Sequence, residues 1–130
     1  MSKVYVFLAE GFEEIEGLTV VDLLRRAKID TEMVSVMEGR QITGSHGIKV
    51  TADSMFADVD FADADVLVLP GGMPGTKNLA AHDGLGALLK EAAAAGRKVL
   101  EFFQNFTKAF VLNAGKINKA GETLWDTSSI

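Results

Sequence analysis

The stretch VLVLPGGMPGTKN, residues 66–78, decides the fold of this chain. Its first four residues, Val66 to Leu69, are all apolar, and such a run is typical of a strand that is covered on both faces of a sheet. The Pro-Gly-Gly sequence at 70–72 ends that strand and allows a tight turn. The stretch therefore predicts a buried strand, a sharp turn and then a helix over 78–95, with an interruption near the glycines at 84 and 86.

The same alternation of strands and helices extends to both sides of this stretch. Residues 4–9 form a continuous apolar run that predicts another buried strand, and 13–27 has apolar residues at helical spacing. That helix has acidic residues at its start and Arg25-Arg26 at its end, which suits the helix dipole. The other predicted elements are strands over 31–37, 48–50 and 98–103, and a helix over 106–112 closed by Gly115. The alternation predicts an α/β fold with a mainly parallel sheet and helices on both faces.

Composition limits the class of protein. A length of 130 residues predicts a single domain over 1–130. The net charge of −5 gives no basic surface, so nucleic acid is not expected as a partner. No apolar run approaches the roughly 20 residues of a membrane span, and the first residues lack the pattern of a signal peptide, so no membrane contact and a cytoplasmic location are expected. The sequence has no cysteine, which excludes disulfides, thiolate metal sites and cysteine nucleophiles within it.

The adjacent glycines Gly71 and Gly72 are candidates for a binding site. In a parallel sheet, sites form beyond the carboxyl ends of the strands, and two glycine N–H groups there could point at a developing oxyanion. The alternative is that the glycines only turn the chain before the helix. A phosphate-binding loop does not fit, because the order Gly75-Thr76-Lys77 differs from the required Gly-Lys-Ser/Thr.

The segment EGFEEIEG, residues 10–17, brings carboxylates to the same edge of the sheet. Glu13 and Glu14 lie in the first helical turn, where the helix dipole explains acidic residues. Glu16 follows one turn after Glu13 and could face the loop at the glycine pair as a base, or hold a neighbour's proton. A solvated helix start is the alternative for each of these residues.

No cofactor or metal site is predicted. His46 and His82 are far apart in sequence and lack partners at metal-ligand spacing, so surface roles are expected for both. The acidic run at 58–65 lacks the ligand pattern of a calcium loop and reads as a solvated turn. The phenylalanines at 102, 103, 106 and 110 are expected in the core rather than at a binding surface.

With these residues located, the chain resembles the DJ-1/PfpI superfamily, in particular its bacterial ThiJ-like and YajL-like members. Four stretches carry the resemblance: VFLAEGFEEIEGLTVVDLLRRA at 6–27, GSHGIKVTAD at 44–53, DADVLVLPGGMPGTKNL at 63–79 and LLKEAAAAGRKV at 88–99. They occur in the family's order and spacing. The resemblance implies a flavodoxin-like α/β sandwich that usually forms a homodimer.

The resemblance also assigns roles to site residues. Glu16 matches the glutamate that contacts the family's reactive cysteine, and Gly71 and Gly72 match the glycines whose backbone amides form the oxyanion site. Counting without gaps from the glycine pair, Phe103 falls at the cysteine and Phe106 at a proline of the nucleophile elbow. Phenylalanine cannot form a covalent adduct. Because the family's glyoxalase III, deglycase and amidase reactions use the cysteine, the chain is predicted to be catalytically inactive, with a small carbonyl substrate only if it is active.

The match is confined to residues 1–99, and 100–130 diverges from the family. Relatives continue beyond the elbow with a histidine, further strands and a helix, so the chain is expected to be truncated relative to them. Within the divergent part, Glu101 is unusual, because a lone carboxylate in a buried strand is costly. Either the strand is displaced, or Glu101 is exposed or paired.

Three functions stay open at this point. The first is an inactive member of the family. The second is an enzyme that uses Glu16 as a general base, with the glycine amides as an oxyanion site, for lyase or hydrolase chemistry without a covalent step. The third is a binding or oligomerisation module that uses the Phe-rich segment 102–112.

Overall fold

A parallel five-stranded sheet forms the centre of the fold. The structure is a computed structural model that describes residues 2–102. The strands are β1 (Lys3–Leu8), β2 (Asp30–Ser35), β3 (Gln41–Thr43), β4 (Lys49–Thr51), β5 (Ser54–Met55), β6 (Val66–Leu69) and β7 (Lys98–Glu101). The sheet order is β5-β2-β1-β6-β7, and every pairing in it is parallel. The order β2-β1-β6-β7 is the doubly wound arrangement of flavodoxin-like proteins, in which the chain reverses direction across the sheet beside β1.

Within residues 2–102, three α-helices connect and cover the sheet. They are α1 (Glu14–Arg26), α2 (Gly75–Ala80) and α3 (Asp83–Ala94), and two short 3-10 turns lie at Phe56–Asp58 and Phe61–Asp63. The first turn of α1 is acidic and its last turn is basic, as the sequence predicts. None of the helices in residues 2–102 has the length and apolar character needed to cross a bilayer.

Alternate residues of β1 enter two separate cores, one on each face of the sheet. Tyr5 and Phe7 pack with the leucines of α2 and α3, whereas Val6 and Leu8 pack with α1. This is the period of two that a strand imposes on its side chains. The predicted α/β fold, with a mainly parallel sheet and helices on both faces, is confirmed.

The prediction of one helix over 78–95 is wrong in detail, because the structure has two helices in this region. The break falls at Ala81-His82 rather than at the predicted glycines, which both lie inside α3. The His82 side chain caps α3, and its Nδ1 accepts a hydrogen bond from the Leu85 N–H at 2.9 Å. A side-chain acceptor at this position satisfies an N–H group that the helix start leaves without a partner.

The antiparallel β3–β4 hairpin folds over the start of α1. Its residues pair from Gln41 with Thr51 to Thr43 with Lys49. The Ser45 N–H at its turn donates to the Phe12 oxygen at 2.8 Å, and the Gly11 N–H donates to the Thr43 oxygen at 2.8 Å. The predicted strand over 48–50 is thus one half of a hairpin that fastens the turn at 44–48 beside the first turn of α1.

Glu101 occupies a buried strand position and has no polar partner among residues 2–102. Its strand is in register, with Glu101 opposite Leu69, and the residue is 1% exposed. Neither carboxyl oxygen has a hydrogen-bond partner among residues 2–102. The sequence predicts a displaced strand, or a Glu101 that is exposed or paired. None of these three expectations holds within residues 2–102. Burial instead raises the pKa of Glu101 to about 8, so the side chain is a neutral acid at pH 7.

Several predictions fall on residues that the structure does not describe. They are the helix over 106–112 with its cap at Gly115, the nucleophile position Phe103 and the elbow residue Phe106. Of the phenylalanines expected in the core, Phe102 packs partly buried against the core beneath α1.

We predict that Glu101 makes the fold less stable as pH rises. The unfolded carboxyl ionises near its usual 4.5, whereas the folded one keeps its proton until about 8. The contribution of Glu101 to the free energy of unfolding is therefore fully present below pH 4.5 and is lost as pH rises through about 8. The loss amounts to at most roughly 5 kcal/mol. Glu101→Gln keeps the shape without a charge and should flatten this dependence.

Urea unfolding of both proteins at about pH 5 and about pH 8 measures the difference. If the two proteins lose the same free energy of unfolding between these pH values, Glu101 does not ionise differently in the folded and unfolded chains.

Candidate functional site

Two loops meet at the carboxyl edge of the sheet, where the sequence places the candidate site. One follows β1 at 9–13, and the other, which we call the glycine loop, follows β6 at 70–74. The Glu13 N–H donates to the Gly71 oxygen at 2.8 Å, and the Gly75 N–H donates to the Gly11 oxygen at 3.1 Å. These backbone bonds hold the start of α1 against the glycine loop.

The Glu16 carboxylate contacts the glycine loop directly. Its Oε1 accepts a hydrogen bond from the Gly71 N–H at 2.8 Å. Burial raises the pKa of Glu16, and the bond from Gly71 offsets part of that effect. The structure thus brings together two residues that the sequence proposed as parts of one site.

The two glycine amides differ in their availability. The Gly71 N–H is bound to Glu16, whereas the Gly72 N–H has no acceptor among the described residues. Of the two N–H groups predicted to bind an oxyanion, the one of Gly72 is therefore still available in this conformation. The role itself stays a prediction.

Gly72 is the position at which the glycine loop requires glycine. Its φ of +99° lies in the region that other residues rarely adopt. A Cβ there would also lie 2.8 Å from the Gly11 oxygen and 2.9 Å from the Phe12 carbonyl carbon. The close approach of the two loops thus depends on the missing side chain.

Glu14 is buried, although its place in the sequence indicates a solvated helix start. It is 4% exposed rather than solvated, because the hairpin turn covers it. Its Oε2 accepts from the His46 N–H at 2.8 Å and from the Ile48 N–H at 3.2 Å. Gly44 provides the room, since a Cβ there would lie 2.6 Å from the Glu14 Cγ.

His46 joins the carboxylates at the start of α1. Its Nδ1 lies 3.0 Å from Oε1 of Glu14 and 3.6 Å from Oε1 of Glu13. Burial alone would raise the pKa of Glu14, but hydrogen bonds from the His46 ring and from backbone N–H groups lower it to about 2. The bond to Glu14 and the charge of Glu13 raise the pKa of His46. His46 is exposed, as expected, but it is also paired with a buried carboxylate, which was not expected from the sequence.

Ser45, Glu14 and His46 do not form a nucleophilic triad despite their proximity. Ser45 Oγ lies 3.1 Å from His46 Nδ1, which is the same nitrogen that contacts Glu14. In a triad the serine and the acid bond to opposite nitrogens of the ring, so that the base can take the serine proton. Here one nitrogen serves both, and Ser45 is not activated.

Glu101 lies apart from these side chains on the other face of the sheet. Val99 belongs to the core beneath α2 and α3, and strand alternation directs Glu101 to the same face. Glu16 is on α1, which covers the opposite face. Glu101 therefore adds a neutral acid beneath the site rather than a second carboxylate within it.

Comparison with known proteins identifies the scaffold. The model of the DJ-1/PfpI family matches residues 2–101. The chain belongs to the DJ-1/PfpI family. Protein DJ-1 homolog B of Arabidopsis thaliana is 34% identical over 95 residues, which are 73% of this chain and 22% of that protein. A deglycase of Thermococcus kodakarensis is 37% identical over 70 residues, which are 54% of this chain and 42% of that protein.

Solved DJ-1 structures share the fold. Oxidised DJ-1 of Toxoplasma gondii superimposes with a TM-score of 0.81 at 31% identity, covering 88% of this chain and 62% of that one. A mutant of a DJ-1 superfamily protein from Salmonella typhimurium gives 0.78 at 39% identity, covering 86% and 60%. The chain spans 22% to 52% of the length of the curated relatives that it matches.

Sequence reasoning missed the pairing of His46 with Glu14 in this DJ-1/PfpI domain. The two residues are 32 positions apart, and neither has a partner at regular spacing. The turn GSHG at 44–47 is the signal that could have found it, because a glycine-rich turn leaves backbone N–H groups free to bind a carboxylate. The turn can bind Glu14 only because the hairpin lies over α1, and that position is known only from the fold.

We predict that Gly72→Ala destabilises the domain by at least about 2 kcal/mol, because the new Cβ meets backbone atoms and the φ is unfavourable. The matched control is Gly86→Ala in α3, where a Cβ meets nothing within 4 Å. A helix interior favours alanine over glycine, so the control should gain about 0.5–1 kcal/mol. Chemical unfolding of the three proteins tests both signs, and equal effects would contradict the close loop contact.

Proposed function

We propose that this chain is a DJ-1/PfpI domain that does not carry out the cysteine-dependent reactions of its family. The observation that carries the proposal is the absence of cysteine from all 130 residues. One relative is named a deglycase, and the family resemblance assigns that chemistry to a thiolate nucleophile. Without a cysteine, the chain cannot form the covalent intermediate that the resemblance assigns to a thiolate.

The geometry at the glycine loop supports this proposal. The resemblance assigns Glu16 to contact the cysteine, but here the carboxylate holds the Gly71 N–H at 2.8 Å. This bond occupies one of the two predicted oxyanion donors. An acyl or carbonyl intermediate gains most of its stabilisation from such donors when they are free and aimed at the oxygen. The site therefore lacks a nucleophile and has half of its predicted donors engaged.

We propose assembly with a second copy of the chain as the function that this scaffold retains. Large apolar side chains are exposed on the start and outer face of α1 and on the adjacent hairpin: Ile15 is 74% exposed, Leu23 58% and Ile48 50%. Exposed apolar residues concentrated on neighbouring elements are typical of interaction surfaces. A homodimer buries the same patch from both subunits. A cytoplasmic location is part of the same proposal.

A second candidate function is cysteine-independent lyase or hydrolase chemistry with Glu16 as general base. The half-buried position of Glu16 beside the unengaged Gly72 N–H favours it. A small carbonyl compound would place its oxygen on that N–H and a neighbouring C–H or water on the carboxylate. The bond from Gly71 to Glu16 would then hold the base in position.

We predict no consumption of methylglyoxal above that of buffer. The assay follows the loss of the dicarbonyl with purified chain, with Glu16→Gln measured in parallel. Turnover that Glu16→Gln abolishes would contradict the inactive assignment and support the second candidate. Turnover that survives in Glu16→Gln would contradict both.

We also predict that the chain sediments as a dimer at micromolar concentration. The double variant Ile15→Glu, Leu23→Glu should shift it to a monomer, because it places charges in the proposed interface. Ala87→Glu, an exposed position on α3 across the sheet, is the control and should remain dimeric. A wild-type chain that is monomeric throughout would overturn the assembly proposal.

A further inference from the structure

We propose that Glu13, Glu14 and His46 form a binding site for one divalent transition-metal ion of the zinc class. The three side chains come from the start of α1 and from the hairpin turn, and each offers one ligand atom. These atoms all lie within 4.8 Å of one another. The site would fasten the hairpin to α1 through the metal.

The distances between the ligand atoms agree with a shared metal ion. His46 Nδ1 lies 3.0 Å from Glu14 Oε1 and 3.6 Å from Glu13 Oε1. Zinc binds such atoms at about 2.0–2.2 Å in a tetrahedron, whose edges are then roughly 3.3–3.6 Å. The separation of 3.6 Å lies at the upper end of this range and that of 3.0 Å lies slightly below it, while the two carboxylate oxygens are within 4.8 Å of each other. An ion therefore fits between the three atoms after small side-chain adjustments.

Glu14 is held in the orientation that a ligand needs. Its Oε2 is occupied by the backbone N–H groups of His46 and Ile48, so Oε1 alone faces the imidazole. The carboxylate is nearly fully buried, and its two amide bonds fix its rotamer. Supporting hydrogen bonds of this kind orient metal ligands and raise the affinity of a site.

The remaining ligands leave an entry path. The His46 side chain is 67% exposed and the Glu13 side chain is 25% exposed, so an ion reaches the cluster from solvent. Ser45 Oγ, 3.1 Å from His46 Nδ1 and 3.4 Å from Glu14 Oε1, or a water can complete the coordination.

The donor set selects the class of metal. One imidazole nitrogen and two carboxylate oxygens suit borderline ions such as zinc, whereas calcium requires six to eight oxygens. The positive end of the α1 dipole opposes a cation at this place. We therefore expect a dissociation constant on the order of micromolar rather than nanomolar, because one of the ligands is also largely solvated.

Metal binding here requires neither a cysteine nor Glu16. The inference is therefore independent of the proposed loss of cysteine chemistry, and either can fail without the other.

Calorimetric titration of the wild-type chain with zinc chloride at about pH 8, where protons compete only weakly with the metal for its ligands, tests the site. We expect one ion per chain. His46→Gln and Glu13→Gln should each weaken binding at least about tenfold, because each removes a ligand. His82→Gln changes the only other histidine and should leave the affinity within about twofold. Magnesium and calcium chloride should give no binding in the same range.

Nuclear magnetic resonance of the wild-type chain keeps the test decisive if a variant fails to fold. Zinc should shift the His46 ring signals and the backbone amides of 44–48, while the His82 signals stay in place. Absent binding, a stoichiometry other than one, equal binding in His46→Gln, or shifts centred elsewhere would each overturn the proposal.

Discussion

The contact between the glycine loop and the start of α1 is the constraint on which the site depends. Backbone bonds join Glu13 to Gly71 and Gly75 to Gly11, and the carboxylate of Glu16 adds a third bond to the Gly71 N–H. The approach is so close that Gly72 leaves no room for a Cβ. Because β1 and β6 are adjacent and parallel, their carboxyl ends deliver both loops to this one place.

Around this contact, three glutamates within four residues occupy different environments. Glu13 caps α1, Glu14 is buried beneath the hairpin turn, and Glu16 reaches the glycine loop. The pKa values of Glu14 and Glu16 move in opposite directions, since hydrogen bonds lower that of Glu14 and burial raises that of Glu16. Three neighbouring glutamates that look alike in the sequence therefore have different roles. Glu13 caps a helix, Glu14 links α1 to the hairpin, and Glu16 belongs to the candidate site.

The sheet and its faces follow from local patterns, whereas the approach of Glu16 to the glycine loop follows from the rule that the loops after parallel strands meet at one edge of the sheet. Continuous apolar runs mark β1 and β6, and the Pro-Gly-Gly turn marks the end of β6, because these signals depend only on neighbouring residues. The pairing of His46 with Glu14 could not be predicted, nor could the burial of Glu101 without a hydrogen-bond partner among residues 2–102. Both depend on which residues the fold brings together across long separations in the chain. The break between α2 and α3 was misplaced for a related reason, because a histidine cap outweighs the presence of glycine.

The scaffold is that of the DJ-1/PfpI family, and the proposal of an inactive site rests on the absence of cysteine from the sequence. A carboxylate that the resemblance assigns to a cysteine is bound here to a backbone amide of the glycine loop. The bond between Glu16 and Gly71 holds the glycine loop against α1, and this arrangement of the site depends on that bond persisting in solution.

The most direct test is the exchange rate of the Gly71 amide proton with solvent, measured by nuclear magnetic resonance in the wild-type chain and in Glu16→Ala. The account predicts a slowly exchanging Gly71 amide that becomes markedly faster in the variant, while amides in β1 keep their rates. A Gly71 amide that exchanges equally fast in both proteins would show that Glu16 does not hold the glycine loop, and the account would be contradicted.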